Sequence, residues 1–97
     1  MTKKHNDYIN NLVNLLVSKY DFIAKNVEYL HKKKGVIGEI DILALKGSRL
    51  DLYEVKCNDC YDHAVEQLRR AKTALGSGLE VHLFYYSGKN DSLEEIT

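Results

Sequence analysis

The apolar residues Ile9, Leu12, Val13 and Leu16 recur at i, i+3, i+4 and i+7, so a helix is predicted over residues 5–20 with one apolar stripe. Residues 22–29 mix β-branched and aromatic side chains and predict a strand, followed by a turn at Lys32, Lys33, Lys34 and Gly35. Two more strand-like runs, 38–45 and 49–56, flank Lys46-Gly47-Ser48, where glycine suits a tight hairpin turn. A polar joint over 57–62 offers Asn58 and Asp59 as helix caps. Ala64, Leu68, Ala71 and Leu75 then mark a second helical stripe, ended by Gly76-Ser77-Gly78. Residues 81–86 form a continuous apolar and aromatic run, as in a strand covered on both faces. From Gly88 onward the chain is polar and predicts no element.

The predicted order is α-β-β-β-α-β, an α/β fold with a mixed central sheet flanked by helices. Its last β-α-β portion, residues 49–86, suits a right-handed parallel crossover. Ninety-seven residues are enough for one core only, so residues 1–97 are read as a single domain. No apolar run approaches the roughly 20 residues of a membrane span, and the polar start lacks the apolar stretch of a signal peptide. The expectation is a cytoplasmic protein with no membrane partner.

Fourteen basic and fourteen acidic residues cancel, so bulk charge does not announce a nucleic-acid partner. A divalent ion would supply local positive charge, and a metal site must concentrate acids. Cys57 and Cys60 have the spacing of a redox pair or half a zinc site. A structural zinc needs four ligands, and His63 and His31 lack the paired spacing, so the two are read as reduced surface thiols.

The hairpin carries the candidate chemistry. With Gly47-Ser48 as a two-residue loop, Leu45 faces Leu50, Asp41 faces Glu54, and Glu39 faces Lys56. Side chains alternate along a strand, so all four polar groups are expected on one face, beside Leu43, Leu45, Leu50 and Leu52. Two opposed carboxylates repel unless something positive lies between them. Mg²⁺ suits that place because it binds carboxylate oxygens while keeping several waters. A bound divalent ion eases deprotonation of water, and a nearby lysine orients it or stabilises developing charge. The bland alternative is a solvated salt-bridge patch; the leucines on the same face weigh against it.

Gly38-Glu39-Ile40-Asp41 followed by Glu54-Val55-Lys56 resembles the signature of the PD-(D/E)XK nuclease superfamily. The element order is also similar to that family's restriction-endonuclease-like core. Compact size and the Asp-to-Glu spacing look most like archaeal and viral Holliday junction resolvases, with small stand-alone phage-type nucleases as close competitors. The resemblance implies that Asp41, Glu54 and the main-chain carbonyl of Val55 would hold Mg²⁺ or Mn²⁺, and that Lys56 would contact the attacking water. Gln67 matches a glutamine that several branches carry on the following helix. Many relatives place a further glutamate on the first helix; here that position holds Ile9, flanked by His5, Asn6 and Asn10. Asp7 falls about 170° from the stripe, so Glu39, a metal ligand or an ion-pair partner of Lys56, is the better stand-in.

Lys32, Lys33 and Lys34 precede the hairpin, and Arg69 and Lys72 share a flank of the second helix; these are the candidate phosphate contacts. The expected activity is a metal-dependent endodeoxyribonuclease, on DNA that includes branched forms, acting as a homodimer if the substrate is a two-fold junction. The alternatives are an inactive nucleic-acid-binding module or a nuclease subunit of the same fold. The tyrosines are expected to pack rather than to stack on bases.

Overall fold

A computed structural model of the chain describes residues 2–31, 35–57 and 60–96. Helix α1 (Thr2–Leu16) runs into a 3₁₀ turn (Val17–Lys19) and leads to β1 (Phe22–His31), β2 (Val36–Lys46) and β3 (Arg49–Lys56). Helix α2 (Tyr61–Leu75) then crosses to β4 (Glu80–Ser87), and β5 (Ser92–Ile96) closes the order. One mixed sheet runs β1-β2-β3-β4-β5, parallel at β3–β4 and antiparallel elsewhere.

Each helix covers one face. Ile9, Leu12 and Leu16 of α1 pack with Ile42, Ala44, Tyr53 and Val55. Ala64, Leu68 and Ala71 of α2 pack with Leu50, Leu52, Leu83 and Tyr85. Full burial of a single side chain such as Ile42 or Leu52 contributes about 1.5–3 kcal/mol, so the two apolar stripes are what fix the helices against the sheet. β4 serves both sides, since Leu83 and Tyr85 join the α2 cluster while Phe84 and Tyr86 join the α1 cluster.

The β2–β3 hairpin has the register predicted from its two-residue loop, from Lys46 opposite Arg49 to Ile42 opposite Tyr53. Gly47 there adopts φ +59°, open to glycine without strain. Strand alternation is broken once, in a matched way. Ile40 lies in the α2 cluster although Ile42 and Ala44 lie in the α1 cluster, and in β1 Val27 and Tyr29 lie towards α2 while Ile23 lies towards α1. The pairs Lys25–Ile42 and Val27–Ile40 bracket the break, and Asn26 between them has φ 54°. Both strands turn over together at Asn26 and Asp41.

The polar tail corrects the sequence expectation. Ser92–Ile96 pairs with β4 and buries Ile96, while Leu93 stays exposed. Two apolar residues three apart do not make a strand pattern, so the strand had no alternation to betray it. His82 of β4 ties the addition down, with Nδ1 at 2.8 Å from Glu95 and Nε2 at 2.6 Å from Glu80.

Candidate active site

Pairing between β2 and β3 stops at Ile42 and Tyr53, one step before Asp41 and Glu54 would meet. The strands part where two acids would stand side by side. Asp41 fills the gap with its own side chain: Oδ2 accepts the main-chain N–H of Val55 at 2.8 Å, where a ladder carbonyl would have been. Asp41 is 5% exposed, so its carboxyl is fixed against the end of β3 rather than solvated.

Glu54 is 2% exposed. Burial pushes its carboxyl up to about 8, and the neighbouring Asp41 adds to the rise. Lys56 and the main-chain N–H of Asp41 pull the other way without cancelling it. Lys56 Nζ stands 3.5 Å from Glu54 Oε2, while Glu54 Oε1 is buried with no hydrogen-bond partner among the described residues. An orphaned buried acceptor costs about 1–3 kcal/mol, so the fold carries an unmet demand for a proton or a cation there.

One residue of the site was not foreseen. His5 Nε2 lies 2.7 Å from the carbonyl oxygen of Val55 and 3.3 Å from Asp41 Oδ2. A carbonyl oxygen can only accept, so the ring N–H donates to Val55. The signal was present: His5 is one turn before Ile9 and extends the buried stripe of α1 over the sheet end. A lone histidine at a helix start gave too little to act on.

Other predicted residues fall differently. Gln67 is half-buried on α2, and its Oε1 is the other buried side-chain atom without a partner among the described residues. Gly38 of the Gly38-Glu39-Ile40-Asp41 run makes room for Tyr29, whose ring would be 2.5 Å from an added Cβ. Glu39 does not meet Lys56 in the ladder as expected. It is exposed and aligned with Glu28 of β1, whereas Lys56 aligns with Ser87 of β4, because the turnover at Asp41 ends the alternation on which the expectation relied. Asp7 is exposed, as its angle from the stripe required.

Arg69 and Lys72 line a cleft of about 410 Å³ with His82, Glu95 and Ile96. Arg70 of α2 stands 3.3 Å from Glu66, and the Tyr29 phenol feels both Arg70 and Glu54. Lys32, Lys33 and Lys34, like the cap candidates Asn58 and Asp59, lie outside the described residues; the N-cap of α2 is Cys60. Cys57 and Cys60 are free thiols.

Among the described residues no three His, Cys, Asp or Glu side chains converge as a ready-made metal cage, and no helix is long and apolar enough to cross a membrane. A scan against models of known protein families finds no match, and neither does a search of curated proteins.

Proposed function

We propose that the chain is a metal-dependent endonuclease of the PD-(D/E)XK type that hydrolyses phosphodiester bonds in DNA. The observation that carries this reading is the buried Glu54, with one oxygen unpartnered and its carboxyl pushed up to about 8 beside Asp41. A divalent cation answers all three features at once, so the residues fit Mg²⁺ or Mn²⁺. Asp41, Glu54 and the Val55 carbonyl would hold it; two carboxylates and a carbonyl suit an ion that keeps several waters. Once bound, such an ion supplies a more acidic water and a counter-charge for the phosphate.

The chain's own residues do the rest. The Val55 N–H fixes the Asp41 carboxyl, and Lys56, tethered to Glu54, offers a donor to the attacking water and to charge developing on the phosphate. The α-β-β-β-α-β part of the chain, with an antiparallel hairpin feeding a parallel crossover and β5 added beyond it, supports a restriction-endonuclease-like core. A junction-resolving homodimer is the form this proposal takes if branched DNA is the substrate.

One observation favours a second reading, an inactive binding module of the same fold. His5 donates to the Val55 carbonyl and stands 3.3 Å from Asp41 Oδ2, both oxygens a metal would use, and the acid of α1, Asp7, is exposed. The purified chain incubated with linear, branched and single-stranded DNA and with RNA, under Mg²⁺, Mn²⁺ or EDTA, separates the readings. Metal-dependent cleavage of any DNA form supports the nuclease. Binding without cleavage under either metal supports the module.

A further inference from the structure

Tyr61 opens α2 and is 42% exposed. A single surface aromatic is ordinary; its position is what gives this one meaning. The ring stands edge-on to Tyr85, with centroids 5.4 Å apart and planes at 86°. Tyr85 is buried and in register with Glu54 on the neighbouring parallel strand. Partners in adjacent strands lie about 5 Å apart on the same face. The exposed Tyr61 is therefore one ring removed from the unpartnered Glu54 carboxyl.

The other face of the sheet repeats the arrangement. Tyr86 is in register with Val55, and Tyr8 packs on Tyr86 with centroids 6.3 Å apart. Tyr8 is also pressed on Gly88, where an added Cβ would lie 2.5 Å from its ring, so it is held in place. Two tyrosines thus straddle the ends of β3 and β4, each backed by a tyrosine of β4, and Tyr61 is the more open of the two.

Charge says what such rings would meet. Duplex binding draws its affinity from many phosphate contacts, and this chain has no net charge. Stacking of a base on an aromatic ring is a contact between uncharged faces and is open only to an unpaired base. We propose that Tyr61 is a nucleobase-stacking platform, so that the site takes nucleic acid with an unpaired nucleotide beside the acids. This departs from the expectation that the tyrosines only pack. The choice of nucleic acid as ligand rests on the nuclease reading, whereas the part Tyr61 plays in binding is measured apart from cleavage.

Fluorescence anisotropy in EDTA, with labelled oligothymidylate and a blunt duplex of equal length, tests the proposal. Wild type should prefer oligothymidylate, with a shallow dependence on salt. Tyr61→Ala should weaken that binding about tenfold and leave duplex binding alone, while Tyr61→Trp retains it. Tyr61→Ala binding oligothymidylate as wild type does, or losing both ligands equally, overturns the platform, as does absence of oligothymidylate binding. Cleavage under Mg²⁺, measured in parallel, keeps the two claims apart. Tyr61-dependent binding without cleavage refutes the nuclease alone, and cleavage with Tyr61-independent binding refutes the platform alone.

Discussion

Glu54 holds its proton well above the pH at which a solvated glutamate loses it, so metal-free stability must fall as pH rises. Its folded-state value of about 8 stands above the ordinary 4.5. Between those two values the folded chain keeps a proton that the unfolded chain has released. The loss accumulates from about pH 4.5 to about pH 8 and then levels off. Glu54→Gln removes this penalty. In EDTA it should melt at a higher temperature than wild type at pH 8, by roughly 5 °C or more, with the gain fading by pH 5. A melting difference that does not vary with pH would show that the carboxyl is not held protonated. His5 poses a separate question at the same scale. Its N–H caps Val55 O beside Asp41 Oδ2, so His5→Ala uncovers both oxygens. Calorimetric titration with Mn²⁺ should show several-fold tighter binding in the variant; weaker binding would make the ring itself a ligand.

At the scale of elements, the helices, the hairpin register and the parallel crossover were legible, because each rests on a local pattern. The Ile9/Leu12/Leu16 and Ala64/Leu68/Ala71 stripes lie where their periods put them. Asp41 and Glu54 were legible as neighbours because a two-residue loop leaves the register no freedom. What was not legible is the turnover at Asn26 and Asp41, since counting by twos assumes an unbroken strand. That break moved Glu39 away from its expected partner and aimed Asp41 at a main-chain N–H. Asn26 bears the break at φ 54°, a conformation that asparagine tolerates and a β-branched residue does not. Asn26→Gly should fold with nearly unchanged stability, whereas Asn26→Val should lose about 1–2 kcal/mol in urea unfolding. Equal stability of the two variants would mean the turnover does not depend on that backbone state.

Across the whole molecule, one sheet with a helix on each face brings the ends of β3 and β4 together with the start of α1, the start of α2 and the break in β2. His5, Asp41, Glu54, Lys56 and Tyr61 come from four elements, and none of the contacts between them is local in sequence except that of Glu54 with Lys56. A chain with no net charge gives little long-range attraction for a polyanion, so any specificity must be made at this end by short-range contacts. The central claim is that these side chains cut phosphodiester bonds with a divalent ion. Single-turnover cleavage of labelled DNA, in linear, single-stranded and branched forms, tests it most directly in wild type, Asp41→Asn and Lys56→Ala under Mg²⁺ and under EDTA. Wild type should cleave at least one form only with the metal, Asp41→Asn should be silent, and Lys56→Ala should be slower by about 10²-fold. Wild type that cuts none of them under Mg²⁺ or Mn²⁺, or an Asp41→Asn chain that cuts as fast as wild type, would contradict the account.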